Sequence, residues 1–457
     1  MKFTPYQYQE RAVRWIEDRP RCCLFLDMGL GKSVCTLTAV SHLMDWCEID
    51  STLVVAPKKV AETTWTDEAA KWDHLSHLRV SKVTGTARQR EQALAAEADV
   101  YVIGRDSFVW LCAYYNGHLP FDMLVIDELT SFKSPKSRRF KAMRAVSPSF
   151  QRVVGLTGTP APNGLVDLWA QLYCVDLGER LGRFVTRYRE AYFNEHRWNN
   201  IVVRCTPKPG AEEAIRSRIA DICLTMQARD YIELPPMIVH DERVTLSPSV
   251  AEGYRLFERE RVMDFVRDNS GKPDNIIAQS AAGLMNKLSQ YANGCVYNAD
   301  GEAVYVHSEK VERLAELVEQ AASPVLVFYQ FRHDIPAITD ALRGRKVVEY
   351  KDAGHLRQWN EGNIDVLLAH PSSTAFGLNM QQGGHYIVWF GTGWNLELYQ
   401  QANARLHRQG QTKPVIVYRL VCADTVDERA LRAIDGKKSV QQSLLDGLKE
   451  LTKKYVQ

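Results

Sequence analysis

The sequence predicts an α/β protein made of two successive doubly wound domains, and three observations carry that expectation. Short apolar runs bounded by turn or polar residues recur in the first half, at residues 22–26, 52–56, 100–103, 123–126 and 152–156. They recur in the second half at 325–329, 347–350, 366–369, 386–390 and 415–420. The stretches between them have helical patterning at crossover length, which is how parallel strands buried on both faces read in a sequence. At 457 residues the chain is also too long for one hydrophobic core. From about 207 to 300 the alternation weakens around Leu234-Pro235-Pro236, and polar helical patterns such as 248–268 take over. The expected organisation is a first lobe over 1–235, a helical linker or insertion over 236–300 and a second lobe over 301–457. Two such lobes enclose a cleft, where ligands sit.

Composition narrows the classes. Apolar residues at 45% and charged residues at 25% are those of a soluble globular protein. A formal net charge of +2 makes no global basic field, so any nucleic-acid binding must come from local clusters. The ten cysteines contain no CxxC pair, which argues against a zinc ribbon or a disulfide framework and for buried thiols of a reducing cytosol. No apolar run reaches spanning length and the N-terminus lacks a signal-peptide core, so a cytoplasmic protein without a membrane partner is expected.

The first strand runs into Asp27-Met28-Gly29-Leu30-Gly31-Lys32-Ser33 and then a helical stretch. Two glycines let backbone amides curl around phosphate oxygens, and the helix start adds its own N–H groups. Lys32 suits the β- and γ-phosphates of a nucleotide, and the Ser33 hydroxyl suits Mg²⁺. Leu26 stands where the strict phosphate-loop pattern has its first glycine.

The fourth run ends in Asp127-Glu128, the carboxyl end of a strand being where catalytic groups belong in such sheets. Asp127 is expected to hold Mg²⁺ and Glu128 to orient or deprotonate the attacking water. Lys133, Lys136, Arg138 and Arg139, interleaved with serines, form a local basic segment apt for phosphodiester contacts or, more blandly, a solvated face. The fifth run ends in Thr157-Gly158-Thr159-Pro160, whose hydroxyls suit coupling the acidic pair to a moving backbone or, more blandly, an ordinary turn with a helix cap after it. His42, His74 and His77 have no metal-ligand spacing, and Trp110, Tyr114 and Tyr115 read as packing.

Late in the chain, Gln401, Arg405 and Arg408 fall at i, i+4 and i+7, which predicts one helical face carrying two guanidiniums. Arginines held together suit a polyphosphate.

Taken together, these motifs resemble those of the Swi/Snf-type ATPases of helicase superfamily two, in a likeness spread from about residue 8 to 430. Residues 27–33 are similar to the family's D-E-M-G-L-G-K-T, and Tyr8-Gln9 upstream of Trp15 to its adenine-reading glutamine motif, with Gln7 as an alternative. Asp127-Glu128-Leu129-Thr130 resembles the D-E-A-H box, and residues 156–163 the L-T-G-T-P-x-x-N loop. Residues 374–380 resemble G-x-G-L-N-L and Trp394-Asn395 resembles W-N-P, while 401–411 match Q-A-x-x-R-x-H-R-x-G-Q at every fixed position.

The resemblance implies two RecA-like lobes with ATP and Mg²⁺ in the interlobe cleft. ATP would contact Gln9, Asp27, Met28, Gly29, Leu30, Gly31, Lys32, Ser33 and Gly377. Mg²⁺ would lie on Ser33 and Asp127, with Glu128 as catalytic base and Arg405 and Arg408 as arginine fingers. Thr157, Gly158, Thr159 and Gln401 would couple the lobes. Lys58, Trp65, Lys133, Lys136, Arg138, Arg139, Trp394 and Asn395 would contact nucleic acid. The implied activity is that of a monomeric translocase on double-stranded DNA, in a minimal bacterial or bacteriophage version. The alternatives are a strand-separating helicase on branched or RNA-containing substrates and a decayed nucleic-acid-binding scaffold. The chain departs from the pattern at Thr130 in place of the box histidine, at Gln409 in place of isoleucine, and at Ala375-Phe376.

Overall fold

Strands form at each of the ten apolar runs, because a strand with helices on both faces must be apolar along its whole length. The computed structural model describes residues 1–158, 160, 164–198, 201–227, 230–231, 234–269, 274–298, 300–374, 378–436 and 440–456. They divide into two compact units, Met1–Glu233 and Leu234–Gln457.

The first unit carries β1 (Arg21–Leu26), β2 (Thr52–Ala56), β3 (Val80–Val83), β4 (Val100–Gly104), β5 (Met123–Asp127), β6 (Arg152–Thr157), β7 (Phe193–Trp198), β8 (Ile201–Pro207) and β9 (Cys223–Met226). Seven of them form one parallel sheet in the order β3-β4-β2-β5-β6-β1-β9. β7 and β8 make a separate antiparallel hairpin. The chain leaves β1, skips two positions to β2, and later fills the gap with β5 and β6. The loops after β1, β5 and β6 therefore open side by side at the carboxyl edge, where ligands bind in such sheets.

The second unit carries β10 (Met237–Val244), β11 (Cys295–Tyr297), β12 (Ala303–Tyr305), β13 (Val325–Phe328), β14 (Val347–Glu349), β15 (Val366–Ala369), β16 (Tyr386–Trp389) and β17 (Val415–Cys422). Its main sheet is also parallel, in the order β10-β17-β16-β13-β15-β14. Buried side chains pack on both of its faces, Val327 and Phe390 among one set and Phe328 and Trp389 among the other.

The described residues between 236 and 300 fall in this second unit. β10 pairs with β17 over its full length, and the helices Pro248–Asn269 and Asp274–Ala292 pack against the C-terminal helices Val426–Asp435 and Val440–Val456. Val262, Met285, Leu288, Ala430 and Leu451 form the core of that helical layer. A polar hub pins it. The Glu258 side chain has no exposed surface, and its carboxylate accepts from Arg429 Nη1 (3.2 Å), Lys454 Nζ (2.6 Å) and Tyr455 Oη (2.6 Å). Burial alone would push this carboxyl up, but the hydrogen bonds from Lys454 and Tyr455, with the Arg429 guanidinium, hold it below the usual glutamate range. Its contribution to stability is therefore present above the ordinary glutamate pKa of about 4.3 and lost as pH falls through the lower folded value. Glu258→Ala is expected to destabilise the second unit by about 2–3 kcal/mol and to expose the last helix to protease, read by urea unfolding and limited proteolysis. An unchanged midpoint would contradict the hub.

All ten cysteines are free thiols. Among the described residues no group of three or more His, Cys, Asp or Glu is placed to hold a metal ion, and no helix is long and apolar enough to cross a membrane.

Candidate functional site

The phosphate-binding geometry begins where β1 ends. Gly29 and Gly31 have φ of 87° and 80°, a left-handed conformation that carries the backbone round from strand to helix without a Cβ clash. The helix Lys32–Asp45 starts at once, with Gly31 as its N-cap. Lys32 Nζ donates to the carbonyls of Leu26 (2.7 Å) and Asp27 (3.3 Å), so the ammonium lies over its own loop. Leu30 is fully buried, which anchors the loop, and Ser33 is half-buried at the helix start.

Gln9 joins this loop from the first turn of helix Gln7–Glu17. Its Oε1 accepts from Tyr6 N (3.0 Å), and its Nε2 lies 2.7 Å from where a Cβ on Gly31 would stand. Gln9 is buried and Gln7 exposed, so of the two glutamines it is Gln9 that packs on the glycine loop. Any side chain at position 31 would displace it.

Two strands away, β5 delivers Asp127 and Glu128. Asp127 is buried; its Oδ1 accepts from the Glu128 amide (3.0 Å) and its Oδ2 from Trp65 Nε1 (3.1 Å). Burial raises its pKa, against the pull of the Trp65 hydrogen bond, the Lys32 charge and the Glu128 amide. Glu128 sits at φ 52°, ψ 63°, a left-handed conformation uncommon for a residue with a side chain. The 3₁₀ turn Leu129–Phe132 that follows explains how it is held. Leu129 is fully buried and crosses β6 at Gly155, where a Cβ would come within 2.7 Å of Leu129 Cδ2. Thr130, in place of the box histidine, is buried in the same turn.

Between these two strands β6 ends in Thr157, fully buried, and Gly158, whose Cβ position lies 3.4–3.6 Å from Leu26 O, Met28 Cγ and Lys32 Nζ. Gly158 is thus brought against the phosphate loop, and Thr157 pairs with Phe25 of β1 beside it. Thr159 lies outside the described residues, as does Gly377.

The residues expected to meet nucleic acid are placed in three ways. Lys58, Lys136 and Arg138 are exposed, while Lys133 and Arg139 are half-buried, with Arg139 3.5 Å from Asp106. Lys136, Arg138 and Arg139 crowd the N-terminal end of helix Arg138–Val146, capped by Ser137, where the helix dipole disfavours positive charge. Trp65 and Trp394 are corrections. Trp65 has no exposed surface and faces Asp127, and Trp394 is 8% exposed within the helical core of the second unit, so neither ring is open to a base or sugar. Asn395 caps helix Leu396–Asn403, its Oδ1 accepting from Leu398 N (3.1 Å). A helix with Trp65 and Ala69 one turn apart on its buried side was the signal that Trp65 points inward.

The arginine motif also departs from expectation. The helix ends at Asn403, so Gln401, Arg405 and Arg408 do not share a helical face. Asn403 Oδ1 accepts from Trp389 Nε1 (2.9 Å), and i→i−3 bonds from Arg405 N and Leu406 N tighten the chain into turns that bury Leu406. Gln411 then ties the turns down, its Nε2 donating to the carbonyls of Gln381 and Gly384. The two guanidiniums converge all the same: Arg405 Nη1 (3.4 Å) and Arg408 Nη1 (3.0 Å) both donate to Leu378 O, and Arg405 Nε donates to Gln401 O (2.9 Å). Arg405 and Gln401 are buried and Arg408 is half-buried.

The donor set of the first unit fits a magnesium nucleotide. A carboxylate and a hydroxyl are hard oxygen ligands, and Mg²⁺ is commonly held by one or two such groups together with substrate phosphates, not by a protein cage.

The chain is similar to several known proteins. The family described as the SNF2-related domain matches residues 8–293. The protein p41 of Acyrthosiphon pisum secondary endosymbiont phage 1 is 34% identical over 466 residues, covering 98% of this chain and 99% of p41. A Mycoplasma pneumoniae protein named as an ATP-dependent helicase is 24% identical over 473 residues, 96% of this chain but 42% of that protein. The solved SWI2/SNF2 ATPase core of Sulfolobus solfataricus in complex with double-stranded DNA is similar over 99% of this chain and 97% of its own, at 20% identity and a TM-score of 0.46.

Proposed function

The chain belongs to the SNF2-related family, and from that premise we propose that it is a DNA-dependent ATPase that converts ATP hydrolysis into movement along double-stranded DNA. One observation carries the reading: the glycine loop after β1, the Asp127-Glu128 pair at the end of β5 and Thr157-Gly158 at the end of β6 lie at one edge of one sheet. A phosphate loop alone binds nucleotide; a base and a metal carboxylate beside it make a hydrolase.

In the proposed reaction the backbone amides of residues 29–33 and Lys32 hold the phosphates, and Gln9 lies at the adenine end. Ser33 and Asp127 hold Mg²⁺, which when bound neutralises phosphate charge. Glu128 takes the proton of the attacking water. Arg405 and Arg408 bring positive charge to the transferring phosphate, where it counts most as charge develops. Thr157 and Gly158, beside both the loop and the acidic strand, link hydrolysis to movement.

The name of the Mycoplasma relative favours a second reading, strand separation. A duplex carrying a triplex-forming third strand distinguishes the two. The proposal expects ATP-dependent loss of the third strand with the duplex intact; release of single strands from a plain duplex would favour the second reading, and neither product would refute both. The basic segment has its own test. Each phosphate contact contributes roughly 0.9 to the slope of log affinity against log salt. The paired change Lys136→Ala, Arg138→Ala is therefore expected to flatten the salt dependence of DNA binding by about 1–2. An unchanged slope would leave that segment a solvated face.

A further inference from the structure

We propose that Trp65 is the positioning residue of the metal-binding carboxylate, its indole N–H setting the orientation of Asp127 and through it the affinity for the divalent cation. The inference rests on the ATPase reading above. Trp65 is not on a loop at the nucleotide edge; it comes from helix Thr64–Lys71, which packs beside the sheet, and its ring has no exposed surface.

Its one polar atom, Nε1, lies 3.1 Å from Asp127 Oδ2. The other oxygen, Oδ1, is held at 3.0 Å by the amide of Glu128. Two donors from two elements therefore fix the plane of the carboxylate, one supplied by the strand itself and one by a packed helix. A carboxylate hung on a single donor at a strand end keeps rotational freedom about its terminal bond, which is broad and roughly two-fold. Metal binding to such a group must first freeze that freedom, whereas here the packing of Trp65 has already done so.

The position of Trp65 in the chain adds a consequence. Helix Lys58–Glu62, which begins with the exposed Lys58, is joined to the helix of Trp65 through Thr63 alone. A polyanion that displaces helix Lys58–Glu62 thus acts one linking residue away from the helix that orients the metal carboxylate. If DNA engages Lys58, cation affinity and DNA affinity are linked, and the linkage is reciprocal.

The test compares binding, not turnover. Mn²⁺, counted as free ion by electron paramagnetic resonance, is titrated into the full chain with a non-hydrolysable ATP analogue, and binding of the analogue without metal is measured in parallel. Trp65→Phe keeps the ring buried and removes the donor. A benzothienylalanine at position 65 keeps the whole bicyclic shape and replaces only the N–H by sulfur, so it decides the matter if the phenylalanine variant does not fold. The expected result is Mn²⁺ affinity weakened about tenfold or more in both, as for other partners of metal ligands, with metal-free analogue binding within twofold of wild type. Unchanged Mn²⁺ affinity in the benzothienylalanine protein overturns the inference and leaves the ATPase reading intact. A wild-type chain that binds the analogue neither with nor without metal overturns that reading, and the inference with it.

Discussion

Arg408→Ala is expected to leave a folded protein whose ATP hydrolysis is slower by roughly 10³-fold or more, the scale of an arginine finger. Its guanidinium is half-buried and donates to Leu378 O at 3.0 Å, and a hydrogen bond of this kind to a backbone carbonyl contributes only about 1–3 kcal/mol. Turnover should therefore fall while the melting temperature stays within a few degrees. Arg405 makes the contrast. It is 4% exposed and is tied to both Gln401 O and Leu378 O, so Arg405→Ala should lower turnover and stability together. Lysine should not rescue either position, because a planar guanidinium can offer paired N–H groups to a phosphate and an ammonium cannot. Steady-state hydrolysis and thermal melting of the two alanine variants check the pair. Full activity in Arg408→Ala would remove that residue from the reaction.

Glu128→Gln is expected to bind ATP as the wild type does and to hydrolyse it roughly 10²–10⁴-fold more slowly, the range for loss of a general base. The amide keeps the shape of the carboxylate but cannot accept the proton. Shape matters here because residue 128 sits in a left-handed backbone conformation, set between the Asp127 carboxylate and the buried Leu129. The substitution leaves that backbone alone, so nucleotide affinity should be retained, which equilibrium binding of a fluorescent ATP analogue reads directly. A variant that hydrolyses at the wild-type rate would mean that another group takes the proton.

Much of the fold was legible, and the limits of legibility have physical causes. β2, β5 and β6 are buried at every position, so they read as unbroken apolar runs. β3, β9 and β10 did not read as strands, because edge positions tolerate polar residues: β3 is Val-Ser-Lys-Val, and β10 is exposed over most of its length and carries Asp241, Glu242 and Arg243. The phosphate loop and the acidic pair were legible because their chemistry dictates residue type and spacing. Burial was not. Trp65 and Trp394 were expected at the nucleic acid because a motif transmits the identity of a residue without the direction it faces, and here both face a core. The spacing of Gln401, Arg405 and Arg408 suggested a helical face, yet the arginines converge through turns. The demand of Asn403 for Trp389 and of Leu406 for burial ends the helix first, a tertiary effect that local periodicity does not carry.

The edge formed by β1, β6 and β5 is proposed as a hydrolytic site answering to DNA. Phosphate release from ATP, measured with and without duplex DNA, tests it most directly, with Lys32→Ala and Glu128→Gln as the baseline. The prediction is a wild-type rate well above both variants and raised further by duplex. A wild-type rate equal to theirs, with or without DNA, would contradict it.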